Sequence, residues 1–302
     1  MENHIAGVAR AAMLVTLEIT MYTGRKQDKK TANVVQATNG AVSNKASSVY
    51  KNLFAECKEL EAITKYSSLI RAEHIKLTLP WNDRGLRILP VKNLMDYQVV
   101  MDKHRVEFER LIAAFLVRYD LLVSAAAFQL GALFDRNEYP PKEYIIRRFS
   151  IDTSFSPLPI SGDFRLDIET EVQNDLAEHY ERTMAKKIET LSQDMWSRLH
   201  DVLSKLSDRL HVEDVEGVPV KNKFRDTLVS NAVELCDLLT RLNVTGDKSL
   251  DRARLLLEDA LKGVDVDDLR KYDAPRKEVK GKVDAILDAF DWGDVEVAED
   301  CA

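Results

Sequence analysis

FRLDIETEVQNDLAEHYERTMAKKIETLSQDMWSRLHDVLSKLSDRLHVEDVE, residues Phe164 to Glu216, contains neither glycine nor proline. Through it run Val172, Leu176, Tyr180, Met184, Ile188, Leu191, Met195, Leu199, Val202, Leu206 and Leu210. Steps of three and four keep these side chains on one side of an α-helix. Between Ile188 and Leu210 the steps average near 3.7, closer to an eleven-residue than a seven-residue repeat, which disfavours a regular leucine-zipper dimer. At 1.5 Å per residue the helix spans about 70 Å. Ile188, Leu191, Met195, Leu199, Val202, Leu206 and Leu210 are therefore the expected packing stripe, within the chain or between copies. Asp163 is the expected N-cap, and Gly217-Val218-Pro219 the expected stop.

Outward from this helix, the C-terminal part predicts short helices over Phe224–Leu242, Leu250–Leu261, Asp267–Tyr272 and Pro275–Phe290, which fold back along the long one. The N-terminal part is mixed. Leu14–Tyr22 alternates as a half-buried strand, and Gly24–Lys30 reads as an exposed basic loop. Residues 31–47 show weak helical character at best, and Ser48–Ala72 is an amphipathic helix. Ile75–Leu79 and Leu86–Leu89 form a hairpin signal, and Phe149–Phe155 a further strand. Asp96–Phe134 is helical, with Val106, Leu111, Phe115, Leu122, Ala126 and Leu130 expected inward. The fold class is α+β, mainly α: an N-terminal module at 1–160 with a small sheet, then an all-α long-helix domain at 161–302 with an acidic tail.

Composition narrows the function. Apolar residues make up 45% and charged residues 31% of 302, with 11 glycines and 8 prolines, which suits a globular, helix-rich chain. Cys57, Cys236 and Cys301 form no CxxC pair, so they read as free thiols in a reducing cytoplasm. No signal-peptide pattern is present, and the apolar run Leu121–Phe134 is too short to cross a bilayer, so no membrane is expected. There is no HExxH, GxGxxG, GxxxxGK[ST] or GxSxG, so neither a catalytic residue, a metal nor a cofactor is expected. Asp265-Val266-Asp267-Asp268 lacks the glycine and glutamate of a calcium loop and reads as a helix cap.

Residues 1–160 carry 22 Lys+Arg against 17 Asp+Glu, and residues 161–302 carry 21 against 33. In the basic half, cations and aromatics intermix. Arg25, Lys26, Lys29, Lys30, Trp81, Arg84, Arg87, Arg147 and Arg148 form a candidate face for single-stranded nucleic acid, where phosphates need cations and unstacked bases need π faces.

Four segments resemble a group of helical proteins, without assigned activity, encoded by lytic tailed phages near DNA-replication and recombination genes. They are Trp81-Asn82-Asp83-Arg84-Gly85-Leu86-Arg87, Asp163-Phe164-Arg165, Phe224-Arg225-Asp226-Thr227-Leu228-Val229 and Leu242-Asn243-Val244-Thr245-Gly246-Asp247. The resemblance implies a phage context, the host-cell cytoplasm, and a role in DNA metabolism or host takeover, and it carries over no site residue. The resulting expectation is a non-enzymatic accessory protein that binds single-stranded nucleic acid as a homo-oligomer. The alternative is a factor that captures or inhibits a host or phage protein through helix faces; an enzyme without a recognisable motif comes third.

Overall fold

The computed structural model describes residues 2–43, 45–82, 85–158, 170–215 and 218–292. In chain order they form α1 (Glu2–Ala11), β1 (Ala12–Thr20), β2 (Arg25–Gln27), α2 (Lys29–Thr38), β3 (Tyr50–Asn52), α3 (Lys58–Leu77), β4 (Leu79–Pro80), β5 (Leu86–Pro90), α4 (Leu94–Leu130), α5 (Lys142–Ile146) and β6 (Ser150–Pro157). There follow α6 (Thr170–Leu210), β7 (Val212–Val215), β8 (Val218–Lys221), α7 (Thr227–Leu242), α8 (Lys248–Leu261), α9 (Val266–Lys271) and α10 (Asp273–Ala289). The architecture is α+β and mainly α. A four-stranded sheet has the order β4-β5-β1-β6, and two-stranded ribbons join β2 to β3 and β7 to β8. The hairpin expected before Leu89 is present, with Leu79 opposite Ile88, but its first strand is only Leu79–Pro80, because Ile75–Leu77, expected in that strand, complete α3.

The chain divides into two compact units, and the division is not the expected cut at residue 160. Unit 1 gathers residues 1–16, 75–95 and 155–302; unit 2 gathers 17–74 and 96–154. Each is discontinuous because β1, α3, α4 and β6 all run from one unit into the other.

Unit 1 is built on α6, unbroken over its 41 residues. Met184, Ile188, Leu191, Met195, Leu199, Leu203, Leu206 and Leu210 are buried along it. Val202 is only half-buried, so the stripe passes through Leu203 and not through Val202 as expected. The stripe is covered by the chain itself, since α10, α1, α7, α8 and β4 all pack against α6. The expected Asp163 cap lies outside the described residues.

The helix ends at Leu210, seven residues before the glycine expected to stop it, and a β-ribbon follows, so the region after 161 is not all-α. Arg276 of α10, 1% exposed, explains the stop. It donates to the carbonyls of Arg209, Leu210 (3.2 Å) and Asn222 (2.6 Å), while Asn222 Nδ2 donates to the Asp208 carbonyl at 2.8 Å. These are the carbonyls that a helix end leaves without partners. A second arginine acts alike where α3 ends: Arg198 donates to the carbonyls of Lys76 (2.7 Å), Thr78 (2.8 Å) and Ile75 (3.0 Å). Its Nε pairs with Asp194 at 2.8 Å. Asp265 caps α9 through the Asp267 amide at 2.8 Å, as its sequence suggests.

Unit 2 condenses around Phe54. Its ring meets Tyr22, Phe115, Tyr119 and Tyr139 at centroid distances of 5.3–6.3 Å. Gly24 has φ +62°, and a Cβ there would stand 3.0 Å from Phe54, so glycine is required. Leu53 and Phe54 sit in the turn after β3, and the helix expected from Ser48 begins only at Lys58. Segment 24–38 is likewise more ordered than its polar sequence suggests. Arg25–Gln27 pairs with β3, and Asp28 caps α2 by accepting from the Thr31 amide (3.0 Å) and hydroxyl (2.9 Å).

Candidate functional site

Helix α4 buries Tyr97, Met101, Phe108, Ile112, Phe115, Tyr119, Val123 and Ala126. Phe115 and Ala126 face inward as expected, but the phase otherwise differs: Val106 is 68% exposed, and Leu111, Leu122 and Leu130 are only half-buried. The cause is the Phe54 cluster, which draws Phe115 and Tyr119 inward together and fixes the rotation of the helix. The opposite face is apolar too in the C-terminal half of the helix, while the exposed Lys103 and Arg110 stand in the same stripe nearer its start. Val99, Val106, Val117, Leu121 and Phe128 are exposed and, at 100° per residue, lie within an arc of about 60°. Phe128 is 90% exposed, Val117 81% and Leu121 63%.

Between Ala113 and Phe128 the exposed Ala113, Ala114, Ser124 and Ala125 flank that arc and widen its uncharged span to about 120°. Charges stand only at its edges, and they are paired: Arg118 with Glu59, and Asp120 with Lys142 at 2.8 Å. An open apolar patch rimmed by polar groups is the usual mark of an interaction surface. By length and composition α4 is also apolar enough to cross a membrane, with a mean hydropathy of 1.8 in its most apolar window, yet its other face forms the core of unit 2.

The residues expected to hold nucleic acid are divided between the two units. Arg25, Lys26, Lys29, Lys30, Arg147 and Arg148 belong to unit 2, while Trp81 and Arg87 belong to unit 1. Arg84 lies outside the described residues. Unit 2 carries 17 Lys+Arg against 15 Asp+Glu, so the positive balance of residues 1–160 thins once the chain is divided as it folds.

Trp81 is half-buried, with the Lys187 ammonium 4.4 Å from its ring centroid and donating to its carbonyl at 2.7 Å. One face of the ring is therefore occupied by a cation–π contact. Arg87 is committed as well: its Nε donates to the Thr78 hydroxyl at 2.6 Å, and burial lowers the pKa of its guanidinium. Arg148 rests on the Tyr144 ring at 4.8 Å.

What stays open is the β2–β3 ribbon with the start of α2. Arg25, Lys26, Lys29 and Lys30 are exposed there, and Arg25 lies 5.9 Å from the centroid of the exposed Tyr50. Lys51 on the same ribbon is neutralised by Glu138 at 2.6 Å.

Among the described residues no three histidine, cysteine or carboxylate side chains gather as metal ligands would. Cys57 and Cys236 are buried thiols, and burial pushes both pKa values up, Cys236 to about 11. A cleft of about 640 Å³ in unit 1 is lined by His200, Asp201, Lys205, Asp208, Arg209 and Arg225 among others, cations and carboxylates interleaved.

No family model, curated protein or solved structure matches this chain.

The α4 face was missed in the sequence because α4 is apolar on both sides. A helix of that kind satisfies the periodicity test in two phases, and only a count of core partners selects one.

Proposed function

We propose that this protein is a protein-binding factor that engages its partner through the open face of α4. The observation that carries the reading is the exposure of Val117, Leu121 and Phe128 on one arc, with no charge inside it between Ala113 and Phe128. Scattered single apolar residues are ordinary on a surface, whereas a continuous helical stripe with Phe at 90% exposure is not. Recognition would be helix against helix or helix in groove, with anchors at three- and four-residue spacing. The buried free thiols Cys57 and Cys236 suit a reducing compartment. The phage setting, and with it capture of a host or phage protein, rests on the segment resemblance alone.

The test is an affinity capture from cell extract in nuclease-treated and untreated arms, comparing wild type with a V117E/L121E/F128E variant. Partners retained by wild type after nuclease and lost by the variant support the reading; a variant that keeps every partner overturns it. The ribbon and the start of α2 carry a second reading, single-stranded nucleic acid, favoured by four exposed cations within Arg25–Lys30 and by Tyr50 close to Arg25. Changing Arg25, Lys26, Lys29 and Lys30 together to Gln should then flatten the salt dependence of oligonucleotide binding, whose slope is about −0.7 per phosphate neutralised. No retention of an oligonucleotide at about 50 mM salt removes that reading.

A further inference from the structure

We infer that the partner on the α4 face is a second copy of this chain, packed antiparallel and centred on Leu121. The inference rests on α4 being the binding face and names what binds there.

Four observations select this occupant. First, the face is graded in size: Ala113 and Ala114 lie at one end, Leu121 in the middle, Ser124 and Ala125 beyond it, and Phe128 at the other end. An antiparallel copy centred on Leu121 sets Phe128 over Ala114, Val117 over Ala125, and Leu121 against its own equivalent. A parallel copy would stack Phe128 on Phe128 and leave a gap between alanines, against the close packing that interfaces need. Antiparallel helices also oppose their dipoles favourably.

Second, the edge charges do not forbid it. Asp120 lies beside Leu121 and would approach its counterpart, but each is already paired with Lys142, and Arg118 with Glu59. Closing the faces therefore leaves no charge without a partner.

Third, the area suffices. Phe128 offers about 150–250 Å², and Val117 and Leu121 about 100 Å² each. With the alanines this approaches 500 Å² of apolar surface per copy. A standard interface buries about 800 Å² per partner, of which about 65% is apolar between identical chains, again about 500 Å². Fourth, the arc has Asp120 at one edge in mid-helix and at the other only Arg118, already paired with Glu59, unlike the apolar face flanked by free lysines and arginines that settles on lipid.

Light scattering across 1–100 µM should give about twice 34.3 kDa for wild type. L121E and F128E should each weaken association at least a hundredfold, with unchanged circular dichroism because both side chains are exposed. In a C301S background, L121C should oxidise to a linked dimer, as should the double variant V117C/A125C, whereas V117C alone should not. A wild type of 34.3 kDa at every concentration overturns the inference, and so does a V117C variant that links as readily as L121C. Monomeric wild type that co-sediments with phosphatidylglycerol vesicles, lost in L121E, also overturns it, in favour of lipid. If wild type is monomeric yet V117E/L121E/F128E loses its captured partners, self-pairing falls while the protein-binding reading stands. If that variant keeps both its doubled mass and its partners, both fall.

Discussion

Replacing Arg276 with Met tests what ends the long helix. Methionine keeps an unbranched stem beside Phe224, over which the guanidinium carbon lies 5.8 Å from the ring centroid, and removes all the donors. Three carbonyls lose their partner: Arg209, Leu210 and Asn222. Leu210 is 1% exposed, so its carbonyl stays dry, and an unsatisfied buried acceptor costs about 1–3 kcal/mol. Arg209 is exposed and Asn222 half-buried, so water recovers part of their loss. Together the three cost about 3–5 kcal/mol. Relief from keeping a cation in a site 1% exposed offsets about 1–2 kcal/mol, leaving about 3 kcal/mol net. Trp81, Trp196 and Trp292, the chain's three tryptophans, all lie in unit 1, so their fluorescence follows that unit alone in a urea titration. With a slope of about 1–3 kcal/mol per molar urea, the midpoint should fall by about 1–3 M. Arg276→Lys, one point charge for three acceptors, should fall in between. A midpoint shift below about 0.5 M at unchanged slope would refute the argument that Arg276 closes α6.

Burial holds the Asp194 carboxyl above the ordinary range, against the pull of Arg198 and Arg87. A pKa raised on folding gives stability that is present at acid pH and lost as pH rises through the folded value. Arg198→Met should therefore cost about 3 kcal/mol at pH 7 and clearly less near pH 4, whereas D194N stays within about 1 kcal/mol of wild type; a penalty of equal size at pH 4, 5.5 and 7 would disprove the coupling. Leu203→Ala should cost about 2–5 kcal/mol and Val202→Ala under about 1 kcal/mol in the same urea assay, and the reverse order would mean the stripe runs through Val202. Trp81→Ala should lower the melting temperature through loss of the Lys187 contact, worth about 0.5–1 kcal/mol, and leave oligonucleotide binding unchanged; weakened binding without a thermal effect would return Trp81 to the nucleic-acid face. Cys57 and Cys236 should resist maleimide at pH 7.5 until urea unfolds the protein, as read by mass spectrometry of their peptides; labelling in the native state would contradict their burial.

Of the α4 face, the sequence displayed every residue and concealed the geometry. Val106, Leu111 and Leu122 compete with Phe108, Ile112 and Tyr119 for the same periodic signal, and hydropathy cannot rank them. The nucleic-acid set shows a different limit: Trp81 and Arg87 belong to one unit and Arg25 and Arg147 to the other, so a charge balance counted along residues 1–160 is not the balance of either unit. Segment 24–38 was legible only in part. Its polar side chains hide a strand held by pairing with Tyr50–Asn52, a partner more than twenty residues away.

The sequence by itself determined what depends on neighbours three or four residues apart: the course of α6, the successive short helices after it, the cap at Asp265, and the mainly helical α+β class. Tertiary structure decided what depends on groups far along the chain. Arg276 stops α6 at Leu210 because those last carbonyls need donors that no nearby residue supplies. The aromatic cluster at Phe54 rotates α4 and so chooses which of its two apolar faces meets solvent. Local free energies are nearly equal for either rotation, and packing breaks the tie.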